Sequence, residues 1–194
     1  MKEGKSILYF ITGNKNKFSE ISLLFQKYNL PFELKQLDLD PVEIQADNLK
    51  EVALFKLNSV KKEIEGSFFI EDAGFFVDKP LNGFPGVYSS YVFKTIGNEG
   101  ILKLINNFND TTAHFSAVIA LYYEKLDKIL IFNGSVKGKV SEKMRGSHGF
   151  GYDPIFIPQE IPEKTFSELI SEEKNEISHR GKALKKLMDF LKEN

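Results

Sequence analysis

The chain has no cysteine among its 194 residues. That excludes disulfides, thiolate zinc sites and cysteine nucleophiles together, and fits a reducing cytosol. It also lacks an excess of either charge. Lys and Arg number 26 against 27 Asp and Glu, for a formal net charge of −1. Proteins that bind nucleic acid or membrane surfaces carry a basic excess, so neither is an expected partner, although a local cationic pocket is compatible with this balance. Long apolar runs are missing as well. The longest, near Phe115–Tyr123, is far short of a membrane span, and the opening MKEGKSILYFITGNK shows no signal-peptide pattern. The expectation is a soluble, cytoplasmic protein. Without repeats, low-complexity tracts or linkers, residues 1–194 read as a single domain, whether one core or one core with two lobes.

Several motifs are absent too. No Walker loop exists: the closest string, GSVKGK at Gly134–Lys139, has the wrong spacing and is followed by valine. GFGYDP, at Gly149–Pro154, fails as a G-x-G-x-x-G fingerprint, and no G-x-S-x-G nucleophile elbow occurs. His114, His148 and His179 lack metal-motif spacing, so a surface or satisfied-core role is the default for each.

What is present is ordinary globular material, 42% hydrophobic, 27% charged and 13% aromatic. Ile7–Thr12 predicts a buried strand, Lys17–Tyr28 a helix, Phe32–Leu37 a strand, and Asn48–Glu65 a helix ended by Gly66. Ser67–Ile70 predicts a third buried strand, broken by Glu71-Asp72-Ala73-Gly74. A turn-rich segment precedes a short helix at Gly100–Phe108. His114–Glu124 and Lys128–Lys137 predict a long hairpin that turns near Leu126-Asp127. Ile155–Ile157 is a short strand, and His179–Glu193 is the closing helix. This order predicts an α/β protein with a mixed sheet and helices packed on it.

Two cations fall where apolar residues belong. Arg180 lies near the middle of the stripe formed by Ala183, Leu184, Leu187, Met188 and Leu191, and Lys56 lies between Val52 and Val60. Each alone could snorkel to water. Two together point to a shared anion, because an unpaired buried charge is costly. TGNKNK opens a helix, so its backbone N–H groups and Lys17 can face an anion. Glu71 and Asp72, read at the carboxyl end of a buried strand, and Glu43, in PVEIQAD, are hard oxygen donors of the kind that hold magnesium on a phosphate substrate, although either site alone reads as acids that simply meet solvent. In GFGYDP the glycines let the backbone approach a planar ligand, and Phe150 offers a face for stacking. A plain structural turn, with Tyr152 packed inward, is the alternative for that tyrosine.

Six stretches, taken in order, resemble the Ham1 family of inosine triphosphate pyrophosphatases over essentially the whole chain. They are TGNKNK at Thr12–Lys17, EIQ at Glu43–Gln45, EDAGF at Glu71–Phe75, GFPGVYSS at Gly83–Ser90, GFGYDPIF at Gly149–Phe156 and EEKNEISHRGKAL at Glu172–Leu184. The resemblance implies hydrolysis of ITP, dITP or XTP to the monophosphate and pyrophosphate with Mg²⁺. It also implies an elongated mixed sheet whose flanking helices form two lobes around a central cleft, in a homodimer. Carried over, Thr12, Gly13, Asn14 and Lys17 match the phosphate-binding motif, with Lys56 and Lys174 as further cations. Glu43 and Asp72 match the metal-associated acids, and Asp72 the general base, with Glu71 beside it as the other candidate. Phe150, Gly151, Tyr152 and Asp153 match the base-binding loop, and His179-Arg180 the signature that reads the base. Two departures stand out. Ala73 replaces a serine common in bacterial relatives, and YVFKTIG after GVYSS lacks their arginine. The rival readings are a nucleotide sensor without turnover and a hydrolase of modified pyrimidine triphosphates in the manner of the related Maf proteins; the acids Glu43, Glu71 and Asp72 favour catalysis over sensing.

Overall fold

The structure, a computed structural model, describes residues 5–28 and 30–194. In chain order its elements are β1 (Ser6–Ile11), α1 (Lys15–Gln26), β2 (Phe32–Leu37), α2 (Leu49–Val60), β3 (Ser67–Val77) and β4 (Phe84–Gly86). Then come α3 (Ser89–Thr95), α4 (Gly97–Ile105), β5 (Thr112–Tyr123), β6 (Lys128–Val140), β7 (Phe156–Pro158), α5 (Ser171–Ile177) and α6 (His179–Glu193). The strands form one seven-stranded sheet in the order β2-β1-β3-β5-β6-β7, with β4 beside β3. It is mixed, as expected: β1 runs parallel to β2 and β3, while β3–β4 and β6–β7 are antiparallel. Parallel neighbours need crossover connections, which α1 and α2 supply.

The sequence pattern places β2 and α6 at their observed boundaries, and most other elements within a few residues. It misreads β3. The acids at 71 and 72 do not end the strand, which continues to Val77. Lysines neutralise them, as described below, and Phe75–Val77 pair with β4. Gly74 makes the close pairing possible, since a Cβ there would lie 2.5 Å from the Gly86 carbonyl oxygen. The helix expected over Asn48–Glu65 is shorter. Asn48 caps α2 by accepting from the Glu51 N–H, and after Val60 the chain tightens into a 3₁₀ turn over Lys61–Glu63. Helices α3 and α5, of seven residues each, lie in segments read as turns or left unassigned, too short for the helical period to show.

The chain divides into two compact units. The first takes the described residues up to Asp72, with Val118–Asn133 and Ala183–Asn194, and the second takes Ala73–Ala117 and Gly134–Lys182. In the first, Leu8, Phe10, Leu57, Phe68, Phe69, Leu184, Leu187 and Met188 are buried, and Phe10 stacks on Phe69 with ring centroids 4.6 Å apart. The second packs Phe75, Phe115, Tyr152, Phe156 and Phe166 with Ile101 and Ile105 of α4. Each such side chain contributes about 1.5–3 kcal/mol on full burial. No helix among the described residues is long and apolar enough to cross a membrane.

Candidate active site

In the first unit, TGNKNK forms the turn from β1 into α1. Thr12 Oγ1 accepts from the Asn14 N–H at 3.1 Å, and Gln36 donates to the Thr12 carbonyl at 2.7 Å. Asn14 Oδ1 in turn accepts from the N–H groups of Asn16 and Lys17, at 3.0 and 3.1 Å. Asn14 is therefore the N-cap of α1, and those two amides, expected to face an anion, are satisfied by the turn itself. Gly13 is exposed between Thr12 and Asn14. Lys17, one turn into the helix, reaches β3: its Nζ lies 2.8 Å from Glu71 Oε2 and 3.3 Å from the Glu71 carbonyl oxygen. Glu71 is 5% exposed, so without this lysine its charge would be held at high cost.

The neighbouring acid has its own cation. Lys56, on the otherwise apolar side of α2, places Nζ 3.1 Å from Asp72 Oδ2 and 2.6 Å from Glu43 Oε1. Burial works against the Lys56 charge, but Asp72 and Glu43 outweigh it and hold the ammonium above the ordinary lysine value. One cation thus gathers two carboxylates from segments far apart in the chain. Among the described residues no three acidic or histidine side chains are gathered closely enough to hold a metal by themselves. A pair of hard carboxylates closing on one positive charge nevertheless fits Mg²⁺, which keeps several waters or phosphate oxygens among its ligands.

The second unit holds the glycine loop. Gly149 and Gly151 both have positive φ, +73° and +63°. At Gly149 a Cβ would fall 2.1 Å from Asp153 Oδ2. That oxygen accepts from the Phe150 N–H at 2.8 Å and pairs with Lys174 Nζ at 2.5 Å. Asp153 and Lys174 are both nearly fully buried, so Asp153, matched to the base-binding loop, spends this oxygen on shaping it, and Lys174, matched as a further cation beside the phosphate-binding motif, supports the loop as well. Phe150 has cations around its ring, Lys174 Nζ at 5.0 Å and Arg180 Cζ at 5.5 Å from the centroid. His179, 3% exposed, stacks on Phe115 with centroids 4.7 Å apart and planes within 8°.

Tyr152 points inward. It is 4% exposed, stacks on Phe75 and donates to the Ser89 carbonyl at 2.9 Å. Burial pushes its phenol pKa well up. Tyr152 therefore anchors the loop in the core, as the structural alternative had it.

The burial of Lys56 and Arg180, from which a shared anion is expected, has compensation of its own. Arg180 does not snorkel, at 2% exposure, but each cation is compensated within its own unit, Lys56 by carboxylates and Arg180 in part by the Phe150 ring. Their burial does not by itself require an anion. Sequence reasoning also missed Ser89, whose Oγ accepts from the Phe75 N–H at 2.8 Å and donates to the Gly86 carbonyl at 2.6 Å. Its place in GFPGVYSS was the available signal.

Fold and site together define a mixed-sheet α/β protein with an acid–lysine cluster on one unit and a braced aromatic loop on the other. The Ham1 family model matches residues 8–190, and the chain belongs to the Ham1 family. It is 48% identical over 187 residues to a protein of Thermococcus kodakarensis named dITP/XTP pyrophosphatase, covering 96% of this chain and 98% of that one. A Pyrococcus horikoshii protein of the same name is 47% identical, with coverage of 96% and 97%. Among solved structures, a HAM1 protein from Coxiella burnetii aligns with a TM-score of 0.83 at 29% identity, covering 97% of this chain and 100% of that one.

Proposed function

We propose that this protein hydrolyses the non-canonical purine nucleoside triphosphates dITP, XTP and ITP to the monophosphate and pyrophosphate, removing them from the nucleotide pool. The observation that carries the reading is the Glu43–Lys56–Asp72 bridge, two hard carboxylates drawn to one positive charge. The name borne by the relatives supplies the substrate class. On this reading the acids and lysines of the first unit are phosphate-binding groups, and the glycine loop, described by itself, is a base-binding element.

Asp72 accepts a proton from the water that attacks the α-phosphorus. A new P–O bond forms there as the bond from the α-phosphorus to the bridging oxygen breaks, and pyrophosphate leaves. Such a base contributes roughly 10²–10⁴-fold. Glu71, buried against Lys17, is the second candidate for that role. Lys17 and Lys56 stabilise charge on the leaving group. Glu43 and Asp72 are the residues that would hold Mg²⁺, whose chemistry when bound is to neutralise and polarise phosphate oxygens. Phe150 stacks on the purine, Asp153 and Lys174 keep the loop in shape, and His179 with Arg180 reads the base edge.

The test is hydrolysis of ITP with magnesium in oxygen-18 water. IMP carrying the label, with unlabelled pyrophosphate, is expected; early IDP, or label in free phosphate, overturns the assignment. The same reading takes the protein as a cytoplasmic homodimer, which sedimentation equilibrium checks directly: a monomer at working concentration removes the dimer.

A further inference from the structure

Asn98 is the second residue of α4, and it stands at i−3 and i−7 from Ile101 and Ile105, the helix's two buried residues. It is thus a polar side chain in line with an apolar stripe. Its Nδ2 donates to the Gly151 carbonyl at 3.0 Å, across 53 residues of sequence. Its Oδ1 is buried and has no hydrogen-bond partner among the described residues. An acceptor left unpaired in the interior is costly and calls for an explanation. Helix packing does not provide one, because leucine would suit the stripe better. The contact that Asn98 makes is with the loop.

That loop has few ties at its tip. On one side Ser167 and Arg145 hold it, through Ser167 contacts with His148 and the Arg145 N–H to the Pro154 carbonyl. Tyr152 holds the other side through Ser89. Between them, Phe150 sits between glycines that both adopt the left-handed region, where the backbone has wide freedom. Asp153 fixes the Phe150 N–H from within the loop. Asn98 fixes the Gly151 carbonyl from a helix whose Ile101 and Ile105 are seated in the core of the second unit. With both in place, the peptide that enters Phe150 and the one that leaves Gly151 are oriented, and the Asp153 N–H holds the Phe150 carbonyl between them at 3.3 Å.

We infer that Asn98 is a positioning residue for base recognition: it pins Gly151 so that Phe150 presents its ring to the purine. The inference rests on the base-binding role proposed for the loop. Asn98→Leu deletes the donor and suits the stripe. Asn98→Asp keeps the shape but sets a carboxylate against the Gly151 carbonyl. The expected result for Asn98→Leu is a KM for ITP raised roughly 2- to 10-fold, the range that one neutral hydrogen bond supports. Its kcat should stay within about 2-fold and its melting temperature should be unchanged or higher. Asn98→Asp should be worse than Asn98→Leu in KM. Inhibition by inorganic tripolyphosphate, a probe without a base, should not change in either variant.

Calorimetric titration with IMP gives a second readout independent of turnover, and its dissociation constants should follow the same order. Unchanged KM and IMP affinity in folded variants overturn the inference. So do equal losses for IMP and tripolyphosphate, which would mark a general structural defect. If the unmodified protein binds IMP but hydrolyses no nucleotide, the catalytic reading fails while the role of Asn98 is still measured. If it binds no IMP, the base-binding role of the loop and this inference fall together.

Discussion

Lys56 Nζ lies 3.1 Å from Asp72 Oδ2, with Glu43 Oε1 2.6 Å away on the same ammonium. One lysine therefore sits on the acid proposed as general base and on both acids proposed to hold the metal. Any cation that enters between these carboxylates meets a positive charge already in place, and a lysine displaced from them becomes available to phosphate.

Asp72→Asn tests the base. The change keeps the size of the side chain, removes its proton-accepting charge and leaves Lys56 paired with Glu43. Turnover of ITP should fall by at least ~10²-fold, with an unchanged circular dichroism spectrum. Activity close to that of the parent would move the base to Glu71.

Lys56→Met tests the competition. Removing the ammonium should tighten Mn²⁺ binding, read by electron paramagnetic resonance, by up to about 5-fold, the most that a partly exposed ion pair of about 1 kcal/mol opposes. Turnover should fall at the same time, because a phosphate partner is gone. Weaker metal binding in a folded variant would show that Lys56 organises the carboxylates and does not compete for them.

Asp153→Asn tests the support of the loop. Lys174 would lose its carboxylate while remaining buried, and breaking a buried pair from one side costs about 3–5 kcal/mol. A fall in melting temperature of roughly 6–20 °C is expected for a chain of this size, with a higher KM for ITP. A melting temperature within a degree or two of the parent would show that the pair adds little.

Base choice is the widest test. Hypoxanthine and xanthine carry an oxo group at C6 where adenine has an amino group, so donors aimed at that position oppose adenine. Discrimination built on buried hydrogen-bonding groups reaches the order of 10⁴ in kcat/KM. The expected order is ITP and XTP first, dITP close to ITP, GTP well behind and ATP last. Hydrolysis of ATP as fast as ITP would remove the base-reading role from His179 and Arg180.

The sequence by itself determined the fold class and the candidate residues of the site. Period-2 and period-3.6 patterns mark β2 and α6 at their true ends, since a buried face imprints its spacing on the apolar residues. The ordered motifs singled out Glu43, Glu71, Asp72, Phe150 and Lys174 as candidates, and the apolar stripe of α2 singled out Lys56, before any contact was known. Tertiary structure alone decided the pairings: Lys17 with Glu71, Lys56 with Glu43 and Asp72, and Lys174 with Asp153. It also carried β3 through two acids that, read locally, should have ended it. The physical reason is common to these cases. Whether a charge is tolerable inside depends on the ion it meets, and that partner comes from another element, 16 to 54 residues away for Asp72 and Glu71, where no local pattern records it.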